Sequence, residues 1–434
     1  MMINVIELKR KVIDAFLISQ TRFVSTSFNK ISKIYTGEST NADEKIKYSI
    51  KTDSCYPYIS TKDISMNGLV DYENGMYIPK KITKFSIAPA NSVLMCIEGG
   101  NAGNKIAIIN QPICFVNKLC CFDTTGADNR FIYYYLLSNQ FRSNFKGQMT
   151  GLIGGVSVKK IKELLLPLPD ISEQKRIADK LDEIFAELDK IDAMQNRLKI
   201  IQEKMESKIL KLAIQGKLVE QRPEEGTGEE LFKLIQQEKQ LLIKEGKIKK
   251  EKPLQPIEKS EIPFEIPSTW KWVKIGDVVN KNLGGGTPSK SEPLFWMNGT
   301  IPWITVKDFP SAEEGYLVDT IDHITELGLE KSATNLVDEN SFVICVRMAL
   351  GKILRVTRPM AINQDLRAIW LNTNINQNYF YRFYSTLKIE GRGITVSGIK
   401  KDELMSLLFP LPPLKEQKRI VAKIEKLIPL CKAV

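Results

Sequence analysis

A single histidine, His323, is all that 434 residues supply, and it sits in what reads as an exposed loop. Any Ser-His-Asp or Cys-His catalytic device would rest on that one side chain. Seven cysteines (Cys55, Cys96, Cys114, Cys120, Cys121, Cys345, Cys431) include no C-x-x-C pair. Structural zinc needs closely spaced Cys/His pairs, so the spacing argues against a zinc finger or ribbon and no metal site is expected. Several of these thiols fall in apolar runs such as Val93–Ile97 and Phe342–Val346, where small buried side chains are the ordinary reading. The chain has no Asn-Pro-Pro-Tyr or Asp-Pro-Pro-Tyr element and no G-x-x-x-x-G-K-[ST] phosphate loop. The stretch Gly99-Gly100-Asn101-Ala102-Gly103-Asn104-Lys105 has the composition of a phosphate loop without its spacing. A metal nuclease needs clustered carboxylates, whereas Asp63 and Asp308 each stand alone beside a lysine. No apolar run approaches the roughly 18 residues that span a bilayer. With an odd cysteine count and no signal-peptide pattern, the chain reads as cytoplasmic, with no membrane partner and no catalytic residues of its own.

Apolar residues make up 43% of the chain, enough for more than one core at this length. Lysine and arginine outnumber aspartate and glutamate by 62 to 51, a net charge of +11. That excess favours a polyanionic partner, nucleic acid being the commonest soluble one.

The most informative feature is an internal repeat. Pro167-Leu168-Pro169 followed by Glu173-Gln174-Lys175-Arg176-Ile177 recurs 243 residues later as Pro410-Leu411-Pro412 and Glu416-Gln417-Lys418-Arg419-Ile420. Upstream, Tyr56-Pro57-Tyr58-Ile59-Ser60-Thr61-Lys62-Asp63 resembles Ile301-Pro302-Trp303-Ile304-Thr305-Val306-Lys307-Asp308. Asn91-Ser92 leads into Val93–Ile97 as Asn340-Ser341 leads into Phe342–Val346. Pro112 with Val116-Asn117 parallels Pro359 with Ile362-Asn363. Residues 21–170 and 260–413 are therefore two related domains. Short β-branched runs bounded by Gly, Pro and Asn predict strands, with helices near Asn129–Leu137 and Asn376–Thr386. The class is α+β.

Each domain leads into a helix. From Ile177 the residues Leu181, Ile184, Leu188, Ile191, Gln195, Leu198, Gln202, Met205, Ile209 and Leu212 step alternately by four and three, an a/d seam that predicts a coiled coil over 171–218. Ile420, Ile424, Leu427 and Cys431 keep the same register over 414–434. Leu8, Val12 and Ala15, in an N-terminal helix over 1–20, follow the spacing of Met205, Ile209 and Leu212, as though a circular two-fold repeat had been cut inside one helix. Between the halves, 219–259 reads as a loop (Glu224–Gly228), a charged helix from Glu229 to about Lys250, and a linker marked by Pro253 and Pro256.

This arrangement resembles the specificity subunit of Type I restriction–modification systems. Further matches are Ala213-Ile214-Gln215-Gly216-Lys217-Leu218-Val219 and the entry Ile262-Pro263-Phe264-Glu265-Ile266-Pro267 before Trp270-Lys271-Trp272. The resemblance implies two target-recognition domains, each reading one half of a bipartite duplex DNA sequence. Long antiparallel coiled-coil helices would space them and dock two methyltransferase subunits. It also implies restriction subunits in the same complex, with S-adenosylmethionine, ATP and Mg in those partners and no cofactor in this chain. A coiled-coil interaction scaffold that reads no DNA is the alternative.

Candidate DNA contacts are Ser60, Lys62, Asp63 and their equivalents Thr305, Lys307, Asp308. Lysine there could meet a phosphate and aspartate a cytosine amino group, or the aspartate could bond its own backbone in a strand-end turn. Gly285, within Gly284-Gly285-Gly286-Thr287-Pro288, could admit a phosphate or simply make a turn, with Gly37 as its loose counterpart. Arg347 and Arg355 are candidates by charge. Tyr58 against Trp303 and Glu98 against Arg347 imply that two half-sites differ.

Overall fold

The computed structural model describes residues 3–18, 24–150, 154–391 and 398–432. The ends of the predicted N-terminal and C-terminal helices (19, 20, 433 and 434), and the predicted domain start at 21, lie outside them. The chain divides into two units, Met1–Leu198 and Lys199–Val434, the boundary falling inside the helix Ile171–Ile214.

The first unit is built on two four-stranded sheets. In one, Leu119–Thr124 lies between Ser32–Thr36 and Val93–Cys96, and Ile106–Ile108 closes the far edge. In the other, Cys55–Ile59 pairs antiparallel with Tyr77–Pro79 and parallel with Ile113–Phe115, which Ile87–Ala88 flanks. A third, two-stranded ribbon joins Val24–Ser27 to Leu165–Leu168 at the two ends of the domain.

The second unit repeats this plan. Leu366–Leu371 lies between Val279–Gly284 and Ser341–Cys345, followed by Ile353–Val356 and one added strand, Tyr316–Leu317. Ile301–Ile304 pairs antiparallel with Asp322–Ile324 and parallel with Met360–Ile362, which Asn335–Val337 flanks. Lys271–Lys274 and Leu408–Leu411 form the ribbon. The α+β class and the pseudo-two-fold repeat are both present.

Helices pack on the sheet that contains Leu119–Thr124 in the first unit and Leu366–Leu371 in the second. Asn129–Leu137 is capped by Asp128, whose carboxylate accepts from Arg130 and Phe131 N–H groups, and its counterpart Gln377–Tyr384 by Asn376 accepting from Tyr379. These caps hold helices that bury Phe131 and Tyr135, or Tyr379, Phe380 and Phe383. Aromatic clusters form around them: Phe28 with Phe122, Tyr135 and Phe141, and Phe409 with Tyr379, Phe380 and Phe383. Six of the seven cysteines are buried free thiols. Burial pushes Cys121 up to about 11 and Cys345 up to about 12, beyond ready ionisation.

Residues identical in the two copies of the repeat weld sheet, ribbon and helix together. Gln174 is buried; its amide donates to the Pro169 carbonyl at 2.8 Å and its oxygen accepts from Asp128 N–H at 2.8 Å. Gln417 does the same with Pro412 and Asn376, both at 2.9 Å. One side chain thus ties the Pro-Leu-Pro strand end to the cap of the sheet-covering helix.

The seam differs from its sequence reading. Ile177, Leu181 and Leu188 are buried and Ile184 packs beside them, against the first domain and the helix Val5–Ile18. That helix runs antiparallel: Ile3 N–H reaches Gln195 Oε1 at 2.9 Å, and Lys9 pairs with Asp189 at 2.6 Å while lying over the Phe185 ring. Its buried face is Val5, Ile13 and Leu17, with Leu8, Val12 and Phe16 beside them, while Ala15 is exposed. In the second unit Ile420 and Ile424 are buried and Leu427 is half-buried. There Leu414–Lys432 runs antiparallel to the end of the long helix, with Arg419 on Glu220 and Lys432 3.8 Å from Glu206. Lys9–Asp189 and Glu206–Lys432 are the same pair in the two copies with the charges exchanged.

Between these ends the expected continuous seam breaks. Of its residues Ile191 is 38% exposed and Met205 46%, and Leu198 is only half-buried; Met194 (68%) and Ile201 (43%), beside the seam, are exposed too. Length is part of the reason. The 14-residue N-terminal helix is opposite Gln195 by its first turn, so Leu198 lies beyond its cover, while Ile191 and Met194 stay exposed within its span.

The long helix ends at Ile214, and Gly216 (φ +69°) makes the reversal, its missing Cβ leaving room for Pro267. The predicted charged helix is Gly228–Lys244, seated through Leu231 and Ile235, with Leu234 and Leu241 exposed.

Candidate nucleic-acid interface

In each domain one short turn gathers the candidate residues. In the second it is Asn363–Leu366, closed by Leu366 N–H on the Asn363 carbonyl. Asn363 N–H donates to Ile304 O at 3.1 Å, joining the end of the strand that leads into Thr305. Asp365 O accepts from Val346 N–H at 2.9 Å and Arg347 N–H at 3.3 Å, joining the loop after Ser341–Cys345. Gly285 lies against the Ile362 and Asn363 carbonyls so closely that a Cβ would stand 2.1 Å from the latter oxygen. The structure thus brings Gly285, Thr305–Asp308 and Arg347 around a single turn.

The first domain builds the same hub. Leu119 N–H closes on Val116 O, Val116 N–H donates to Ile59 O, Ile97 N–H donates to Lys118 O, and Gly37 packs on Phe115 O. Even its outer edge is repeated: Ser39 bonds Asn117, and Thr287 bonds Gln364. The hydrogen bonds equate Val116 with Asn363, one residue away from the pairing that the sequence alignment suggests.

Within this cluster the charged candidates divide. Asp63 Oδ2 accepts from the backbone and hydroxyl of Ser60 at 2.8 and 2.6 Å, and Asp308 Oδ2 from those of Thr305 at 2.7 and 2.9 Å. Asp308 Oδ1 takes Ile321 N–H as well. Both carboxylates are buried, at 8% and 1% exposure. This is the strand-end turn, so neither is presented to a base as the structure stands. Lys62 and Lys307, between each hydroxyl and carboxylate, are exposed. Gly285 serves close backbone packing, which the glycine demands on steric grounds alone. Arg355 is buried, its guanidinium 4.0 Å from the Tyr316 ring centroid and bonded to Asn378, so it is a core residue and no surface contact. Trp270 is buried with its indole N–H on Glu416. His323 lies on the strand Asp322–Ile324, 3.0 Å from Asp319, rather than in an open loop.

Two residues went unnoticed in the sequence. Lys118 is 3.2 Å from Glu98, and Asp365 is 3.8 Å from Arg347. Only the opposed signs at equivalent positions could have signalled them. Lys105, whose ammonium donates to Thr61 O at 2.7 Å, ties the first domain's hairpin loop to its Ser60–Asp63 turn. Among the described residues no group of three His, Cys, Asp or Glu side chains is placed to hold a metal ion, and no helix is long and apolar enough to cross a membrane.

A twice-built α+β module, each copy continued by an antiparallel helix pair and each presenting the same loop cluster with different side chains, defines an internally repeated two-domain protein. The Type I restriction modification DNA specificity domain matches residues 26–200 and again 267–432, and the chain belongs to that family. It is 31% identical over 275 residues to the Type I restriction enzyme EcoAI specificity subunit of Escherichia coli, covering 59% of this chain and 43% of that protein. It is 36% identical over 167 residues to the EcoR124I/EcoR124II specificity subunit of Escherichia coli, covering 36% and 40% respectively. The chain thus spans about two-fifths of the length of these relatives. A chain of a solved type I R-M system structure superposes with a TM-score of 0.59 at 16% identity, over 95% of this chain and 91% of that one, a likeness of fold.

Proposed function

We propose that this chain is the DNA-reading subunit of a Type I restriction–modification complex, each domain recognising one half of a bipartite duplex sequence. The observation that carries the reading, beside family membership, is the repeated loop cluster, in which a common backbone carries different exposed side chains. Exposed Lys62 and Lys307 suit phosphate contacts, which position a protein on DNA without reading sequence. The net charge of +11 favours the same partner.

The uncovered apolar residues of the long helix, Ile191, Met194, Ile201 and Met205, support docking of two methyltransferase subunits on the helices. Restriction subunits would join the same complex. S-adenosylmethionine, ATP and Mg belong to those partners, and this chain contributes recognition and no catalytic group. The test is to co-express the chain with a methyltransferase subunit of the family and sequence the methylated bases. A bipartite motif is expected, with duplex affinity falling steeply as salt rises. Binding that ignores both sequence and salt would overturn the reading in favour of a protein scaffold.

A further inference from the structure

The loop after Val93–Cys96 and the loop after Ser341–Cys345 share their backbone and oppose their charges. Cys96 N–H meets Lys105 O as Cys345 N–H meets Lys352 O, and Glu98 bridges Gly155 as Arg347 bridges Gly398. On this common frame Glu98 faces Lys118 in the first domain, and Arg347 faces Asp365 in the second. Both members of the pair have exchanged sign together. Stability does not demand this. The Glu98 and Arg347 side chains are 44% and 55% exposed, and exposed ion pairs contribute little.

The next position is equally unequal. Gly99 has φ +87°, open space around it and no side chain. Its counterpart Met348 keeps the left-handed backbone (φ +65°) while 67% exposed. Neither packing nor backbone preference asks for methionine there, and such strain persists where something outside the fold uses it.

We propose that the Glu98/Arg347 position is a specificity determinant, selecting one base of each half-site. Arg347 donates its two-pronged guanidinium to guanine O6 and N7, and Glu98 accepts from a cytosine amino group. Asp365 and Lys118 are positioning residues that hold each charge on its loop, and Met348 adds an apolar contact beside the base. This rests on the DNA-reading function proposed above.

The experiment selects duplexes from a randomised DNA pool with the full-length chain in its methyltransferase complex. Arg347→Lys keeps the charge facing Asp365 and loses the fork, so preference at one guanine is expected to fall about tenfold while the other half-site stays unchanged. The combined Arg347→Glu, Met348→Gly, Asp365→Lys variant rebuilds the first domain's arrangement and is expected to exchange that guanine for cytosine. Glu98→Arg with Lys118→Asp is expected to change only the other half. Selection of the parental sequence by Arg347→Lys and by either transplant overturns the inference while leaving the DNA-reading function standing. A parental complex that selects no sequence overturns both. Should a transplant fail to fold, Arg347→Lys alone decides, because it alters no packed atom.

Discussion

Gln174 and Gln417 show how much structure one side chain can carry. Each satisfies a part-buried helix-cap N–H and a buried proline carbonyl. Gln417→Ala is expected to leave both without this partner, at a cost of about 1–3 kcal/mol for the buried Pro412 carbonyl. Chemical denaturation should show the second unit's transition moving to lower denaturant with the first unit's unmoved. Glu416 makes a pH-dependent contribution beside it. Burial pushes its carboxyl up, and the Trp270 and Gln221 hydrogen bonds and nearby Arg419 pull it partly back. A carboxyl whose folded value is raised binds its proton more tightly when folded, so its contribution to stability falls as pH rises through the carboxylate range and is lost above it. Glu416→Gln removes that ionisation. Its melting temperature relative to the parent should therefore rise as pH climbs upward from the ordinary carboxylate range. A constant difference would refute the assignment.

At the scale of elements, the helix Ile171–Ile214 is the continuous link in the chain between the two domains. Its 44 residues correspond to roughly 66 Å at about 1.5 Å per residue. A heptad inserted after Gln195 preserves the a/d register and adds about 10 Å, close to three base pairs at about 3.4 Å each. The preferred gap between half-sites is expected to lengthen with both half-site sequences unchanged. Three base pairs also turn the second half-site by about 100°, so binding should weaken. Methylome sequencing of the insertion mutant reads the gap directly. An active mutant with the parental gap would place the ruler in the partner subunits.

At the scale of the whole molecule, each domain has its own sheets and aromatic cluster. Exchanging residues 260–413 for the equivalent domain of a relative should leave the first core intact and change one half of the methylated sequence. A change in both halves would show that the domains do not read independently. Purified alone, the chain is expected to show neither methyl transfer nor ATP hydrolysis. Either activity, abolished by a substitution in this chain, would contradict a purely recognitional role.

The repeat, the α+β class, the helices following each domain and the family were legible in the residues themselves. Identities such as Glu173–Ile177 against Glu416–Ile420, and periodicities of 3.5 residues, are properties of the linear chain. What the tertiary structure decided were the partners. A heptad pattern states that a helix has an apolar face, but only folding shows which of its residues are covered, Ile177 and Leu181 buried and Ile191 and Met205 exposed. Lys62-Asp63 and Lys307-Asp308 look alike as dipeptides, and folding separates each into an exposed cation and a buried cap. Glu98 with Lys118, and Arg347 with Asp365, lie about twenty residues apart in sequence and meet only because antiparallel strands return the chain to the same turn. Local pattern sets the element, whereas long-range strand pairing chooses which charges face each other.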